Sequence, residues 1–205
     1  MKAIIQSVLV GTALLCTAAF CEDQPKPQYA SKPEYRALFL ELEKAEVITE
    51  GAKDAKSVLY VFFDPNCFYC NLTWKALQPY EKAGLQVRWV PVAYQKPSSV
   101  GRAAAILGAP DRAAALHENE VNYDKPHFDG GIKPMDKPQA ELTAQLQANT
   151  DLMRKFGVPA VPVLIWKDNN GNVLIKPGVP RLSQLPGITG LPEQEVLNPE
   201  LANFR

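Results

Sequence analysis

The sequence predicts an α/β fold, and three observations predict it. Residues 58–63, Val-Leu-Tyr-Val-Phe-Phe, are an unbroken β-branched and aromatic run of the kind that forms a buried strand. Asp64-Pro65-Asn66 then breaks that strand, and a helix-period segment carrying Leu72, Trp74 and Leu77 follows. A second strand pattern starts at Leu85, and a strand–crossover–strand unit of this length favours a parallel pair. The chain has 205 residues, of which 46% are apolar and 21% charged, which suits one globular domain with a good core plus appendages.

The elements read as follows. Lys2, a nearly apolar stretch over residues 3–15 and the small residues Thr17, Ala18 and Ala19 form a secretory signal, assigned to residues 1–21. Phe20 stands before Cys21 where a lipid-attachment signal needs a small residue. Export implies an oxidising compartment, a bacterial periplasm. Residues 22–50 are a proline-bearing linker and an N-terminal helix. Pro33 opens that helix, which runs to about Ile48 with Leu38, Leu42 and Ala45 on one face. Residues 51–56 are a loop into the central strand. The helix from Cys67 should be kinked by Pro79 and ended by Gly84. The strand over residues 85–94 contains Pro91, which argues for an edge or bulge at its end.

An Ala-rich helix is expected over residues 98–108, capped by Ser98 or Ser99, and another over 111–121, capped by Asp111. Residues 122–137 hold Pro126, Gly130, Gly131 and Pro134 and form a loop, with His127 solvated. A longer helix covers residues 138–156 and stops at Gly157, with Leu142, Leu146 and Leu152 inward. Residues 163–166 and 173–175 form a hairpin around Asp168-Asn-Asn-Gly171. Pro162 abuts the first of these strands and is placed to be cis, with Pro159 as the competing position. A short helix lies near residues 181–185, and residues 191–205 are a partly ordered tail.

The chemistry sits where the first strand meets the first helix. Cys67 and Cys70 form a Cys-x-x-Cys pair at a helix start. Free N–H groups and partial positive charge at a helix N-terminus favour an anion. A thiol there has a lowered pKa, and the thiolate is the form that attacks disulfides. The spacing brings the second sulfur within bonding reach. Cys67 is therefore the attacking nucleophile and Cys70 the resolving thiol, with Phe68-Tyr69 as the intervening dipeptide. A zinc site would need a second pair of ligands. The only other cysteines are Cys16 and Cys21, in or beside the leader, and the two histidines, His117 and His127, fit no compact pair. Haem attachment would need His where Asn71 stands. No cofactor is expected. Acidic and basic residues balance at 22 each, so no basic footprint for nucleic acid exists.

Two stretches carry a family resemblance. Lys44-Ala-x-x-Ile48-x-Glu-Gly51-x-Lys-Asp-Ala leads into Tyr60-Val-Phe-x-Asp64-Pro-x-Cys67-x-Tyr69-Cys70. Asn149-x-x-Leu152-Met-x-x-Phe-Gly157 leads into Val161-Pro162, and Gly178-Val-Pro180 follows. Over about residues 33–190 the chain resembles the catalytic domain of periplasmic thiol:disulfide interchange proteins of the DsbC/DsbG type, closer to DsbG. The resemblance implies a thioredoxin-like fold, a catalytic domain over 51–190 with a helical insertion at about 98–148. It implies Cys67 as an exposed nucleophile, Cys70 as resolving thiol, and Val161-Pro162 as the substrate-positioning cis-proline loop. It also implies protein substrates with disulfides or oxidised cysteines and re-reduction by a membrane thiol donor of the DsbD type.

Three departures stand out. Only about ten residues separate the leader from Pro33, too few for the family's dimerisation domain, so a monomer is expected. Phe68 stands where the family more often has Pro or Gly, and Val161 where DsbG-type proteins usually have Thr. The redox potential therefore does not carry over. Two other readings compete with a reductase or isomerase: a dithiol oxidase that introduces disulfides, and a substrate-binding chaperone whose cysteines are incidental.

Overall fold

The computed structural model describes residues 29–205; the leader, Cys16 and Cys21 lie outside the described residues. Tyr35–Leu42 (α1) precedes strand Ile48–Gly51 (β1) and the central strand Ser57–Phe63 (β2). Phe68–Lys82 (α2) crosses to Leu85–Pro91 (β3). Ser99–Leu107 (α3), Arg112–Val121 (α4) and Ala140–Lys155 (α5) follow, then the hairpin Val163–Lys167 (β4) and Val173–Pro177 (β5) and the short helix Leu185–Thr189 (α6). The sheet order is β1-β3-β2-β4-β5. β2 and β3 run parallel, as the crossover length requires, and the other three pairings are antiparallel.

β2 is buried on both faces because both are covered. Alternating side chains of a strand point to opposite sides. Tyr60 meets Phe39 of α1 and Phe62 meets Phe156 beyond α5, while Phe63 meets Trp89 of β3. Leu59, Tyr60, Val61, Phe62 and Phe63 are each no more than 2% exposed. This explains the continuous apolar run, which is the signature of an interior strand rather than a half-solvated one.

The structure corrects the N-terminal helix. It ends at Leu42 instead of Ile48, and Ile48–Gly51 is a strand pairing antiparallel with β3. Gly51 has φ +87°, and a Cβ there would lie 2.1 Å from the Leu85 carbonyl oxygen. The close approach of two backbones fixes β1 at this place, and a four-residue strand beside a helical pattern leaves no periodic signal. Strand β3 stops at Pro91 and is interior, so its proline marks the end of a ladder and no sheet edge. The next amide supplies the bond that Pro91 cannot: Val92 N–H donates to the Phe63 carbonyl at 2.9 Å.

The C-terminal residues are also corrected. They are packed, with a 3-10 helix at Pro199–Phe204 and Leu201 fully buried. Glu200 there bridges Lys75 of α2 and Lys125 of the loop after α4. The expected insertion boundary at residue 148 falls inside α5, whose inward face of Leu142, Leu146 and Leu152 is continuous.

Candidate active site

The site begins as a turn held from several directions. Asp64 is fully buried at the end of β2. Its Oδ1 accepts from the Asn66 N–H at 3.0 Å and from Ser99 Oγ at 2.8 Å. Its Oδ2 accepts from the N–H groups of Tyr94 at 2.9 Å and Gln95 at 3.0 Å. Four donors satisfy the buried carboxylate, which otherwise would not remain there. Asn66 in turn donates to Ser98 Oγ and Ser99 Oγ and accepts from the Gly130 N–H. Tyr123 donates its hydroxyl to the Asn66 carbonyl at 2.8 Å, and Asn119 donates to that of Pro65 at 3.0 Å. The turn is thus joined to the start of α3, the end of α4 and the loop beyond.

Cys67 occupies the N-cap of α2 in extended conformation, and its sulfur accepts from the Cys70 N–H at 3.3 Å. Both thiols are free. The Cys67 thiol is held below its ordinary pKa, first by a hydrogen bond from the Cys70 thiol, against the opposing effect of burial, and further by the Cys70 N–H and the Gln95 side chain. The Cys70 thiol is pushed well up, chiefly by burial. Two identical groups three residues apart are therefore driven in opposite directions by their surroundings, one an anion in waiting and the other a proton carrier.

The Val161–Pro162 peptide bond is cis, and it is the only cis bond among the described residues, so Pro159 is trans. The Val161 carbonyl oxygen lies 3.7 Å from Cys67 Sγ, which brings residues 94 positions apart to the same point. The Pro162 carbonyl accepts from Gly178 N–H at 2.8 Å, which ties the Gly178-Val-Pro180 loop to the same bend.

The structure corrects one expectation about the nucleophile. Cys67 is 3% exposed, not open to solvent. Its thiol is turned toward the Val161 carbonyl, to which it donates at 3.7 Å. The exposed member of the motif is Tyr69, at 57%. Phe68 is half-buried and stacks against Tyr69, Tyr123 and Phe128, with Lys125 Nζ 5.3 Å from its ring centre. Phe128 holds φ at +52°, a left-handed conformation unusual for an aromatic residue.

Sequence reasoning missed Tyr94, Gln95, Asn119, Glu120, Tyr123 and Phe128 as neighbours of the pair. Glu120 is 2% exposed; its carboxylate accepts from Asn71 at 2.9 Å and Asn119 at 3.0 Å, and burial pushes its pKa up to about 7. Only its position four residues after Leu116 in α4 hinted at an inward face. Of the two histidines, His117 is exposed with its ring edge on Trp74, and His127 is exposed beside Asp124.

Comparison with known proteins agrees with this geometry. A family described as a thioredoxin-like domain matches residues 44–185. The thiol:disulfide interchange protein DsbG of Pseudomonas aeruginosa is 30% identical over 168 residues, 82% of this chain and 64% of that protein. DsbG of Escherichia coli is 29% identical over 175 residues, 83% of this chain and 63% of its own length. The chain therefore spans less than two thirds of the length of these relatives. Among solved structures, a periplasmic thioredoxin-like protein from Salmonella enterica serovar Typhimurium superposes with a TM-score of 0.57 at 23% identity, covering 78% of this chain and 96% of that one. A linker-deletion mutant of Proteus mirabilis ScsC gives a TM-score of 0.56 at 27% identity, covering 76% of each chain.

Proposed function

The chain belongs to the thioredoxin-like domain family, and on that premise we propose that it is a periplasmic thiol:disulfide oxidoreductase of the reductase or isomerase type. One observation carries the reading: a thiol at a helix N-cap, held below its ordinary pKa, stands beside a second thiol held well above it, at a cis Val161–Pro162 bend.

The Cys67 thiolate attacks one sulfur of a substrate disulfide, forming the Cys67–substrate bond and releasing the other substrate sulfur as a thiolate. Cys70 then loses its proton and attacks Cys67 Sγ. The mixed disulfide breaks, the substrate leaves with both sulfurs reduced, and the pair is oxidised by two electrons. A sulfenic acid on a substrate cysteine enters by the same first attack, with hydroxide as the leaving group, taking up a proton to depart as water. The Val161 backbone lies beside Cys67, its carbonyl 3.7 Å from the sulfur, and is suited to aligning an extended substrate strand. Because Cys67 is nearly covered, the incoming disulfide must displace the groups over it. A membrane thiol donor of the DsbD type returns the pair to the dithiol state. Export to the periplasm rests on the leader-like residues 1–21, and a similar fold in a periplasmic Salmonella protein supports it.

The test is substitution of each cysteine. Cys67→Ser abolishes turnover of insulin or a scrambled disulfide protein, whereas Cys70→Ser accumulates mixed disulfides at Cys67 that mass spectrometry of the trapped adducts identifies. Turnover that survives Cys67→Ser overturns the proposal.

A further inference from the structure

Three aromatic side chains are exposed among the described residues, Tyr69, Tyr94 and Phe128, and all three border the turn that carries Cys67. Tyr69 lies between the cysteines, the Tyr94 N–H donates to Asp64 of the turn, and the Phe128 ring lies 6.1 Å from that of Phe68. Large apolar side chains gathered at one exposed place mark an interaction surface. Phe128 is 54% exposed, and its φ of +52° is a conformation that an aromatic residue adopts only where its surroundings impose it. Those surroundings are a fastened hairpin. Asp124 and Asp129 exchange both backbone hydrogen bonds, at 2.8 and 3.1 Å. Lys96 Nζ donates to the His127 carbonyl at 2.6 Å and to Asp129 at 2.9 Å. The Gly130 N–H donates to Asn66 Oδ1 of the Cys67 turn, and a Cβ on Gly130 would lie 2.5 Å from the Pro65 carbonyl oxygen. The hairpin is thus seated on the turn, and it holds the Phe128 ring out beside the cysteine motif.

We propose that Phe128, with Phe68 and Tyr69, forms a shelf that binds an apolar side chain of the substrate polypeptide close to the cysteine under attack, and so decides which disulfides this protein selects. The inference rests on the exchange reading above. Phe68 follows Cys67 in the chain and stands between the other two rings, 5.6 Å from Tyr69 and 6.1 Å from Phe128. Two residues of extended strand span about 7 Å, so a strand joined to Cys67 through its own cysteine brings the side chain about two positions away across these rings. Charge favours an apolar occupant over an acidic or a basic one. The ionic groups around the shelf are already paired: Lys96 and Arg102 with Asp129, His127 with Asp124, and Lys125 with Glu200. Each of these charges has an opposite partner, so none is left to select a charged side chain. The rings offer faces and edges that take an aliphatic or aromatic partner.

The test is the second-order rate at which the reduced protein attacks synthetic peptides whose single cysteine is a disulfide with 2-mercaptoethanol. The peptides are identical except for Phe, Gly, Glu or Lys about two positions from that cysteine. The Phe peptide reacts about tenfold faster than the Gly peptide, and the Glu and Lys peptides stay within about twofold of Gly. Phe128→Gly keeps the left-handed backbone at no steric cost and removes the ring; its Phe-to-Gly rate ratio falls to within about twofold of one. Phe128→Tyr keeps the ring and the parent's ratio. Each ratio compares two rates on one sample, so a change in folded fraction cancels. A parent ratio near one, a Phe128→Gly ratio equal to the parent's, or a Glu or Lys peptide that outpaces the Phe peptide overturns the proposal. So does a dimer of the parent, seen by sedimentation and lost in Phe128→Gly, which assigns the rings to a second copy of the chain. A parent that attacks none of the peptides overturns the exchange reading itself, so the two failures are distinguishable.

Discussion

At the scale of single residues, environment outweighs identity throughout this molecule. Glu50 on β1 accepts from Trp74 Nε1 at 2.9 Å, and its pKa is pushed up by burial to about 7. Glu81 on α2 is pushed up to about 8, first by burial and then by the Glu50 charge. Both carboxyls hold protons more tightly in the folded chain than at their ordinary value of 4.5. Between that pH and about 8 the folded state binds more protons than the unfolded one, so their contribution to stability is full below about 4.5 and is lost as pH climbs through 7 to 8. Glu81→Gln removes one charge and leaves an oxygen for the Gln78 amide. Denaturant titrations at acid and alkaline pH check the outcome: the variant is more stable than the parent on the alkaline side, on the order of 1 kcal/mol after allowance for solvent screening, and nearly equal to it on the acid side. None of this was legible beforehand, because a glutamate shows its neighbours only after β1 and α2 have packed.

At the scale of elements, caps and close approaches decide where each one starts and stops. Asp111 accepts from the Ala114 N–H at 3.0 Å, the cap the sequence suggested for α4. Asp111→Ala costs about 1 kcal/mol, read as a shift in the denaturation midpoint. Ser98 takes the cap position of α3 but makes no side-chain cap bond; Ser99 is drawn instead to Asp64 and to the Lys96 N–H. A serine next to a helix start was thus readable, and its partner was not, since Asp64 lies 35 residues earlier. Gly51 carries the opposite lesson. Its positive φ and the 2.1 Å approach of a Cβ to the Leu85 carbonyl mean that Gly51→Ala must shift β1 away from β3. A loss of about 2–4 kcal/mol follows, measured by thermal or chemical unfolding. An unchanged midpoint would remove this account of β1.

At the scale of the whole molecule, the chain's last residues brace its active end. Leu201 is fully buried, and Glu200 reaches both Lys75 on the reactive-site helix and Lys125, whose ammonium sits over the Phe68 ring. Exposed or half-exposed ion pairs contribute little on their own, so the anchoring comes from the buried leucine. Leu201→Ala costs about 2–4 kcal/mol and lowers Tm by roughly 6–12 °C in a chain of this size. Glu200→Gln leaves Tm within about 2 °C of the parent. Calorimetry on the two variants separates packing from charge.

What the sequence determined by itself is whatever depends on neighbours in the chain. The central strand, the Cys67–Cys70 pair at a helix start, the parallel β2–β3 pairing and the hairpin around Gly171 all follow from local pattern and connection length, because pleat, helical pitch and crossover geometry act over a few residues. What only the tertiary structure decided is whatever depends on distant residues meeting. It buried Cys67 against the Val161 carbonyl, gave Asp64 its four donors and Glu120 its amide partners, turned residues 48–51 into a strand, and packed the C-terminal segment. Those outcomes rest on desolvation and on hydrogen bonds between residues tens of positions apart, and no local period encodes either.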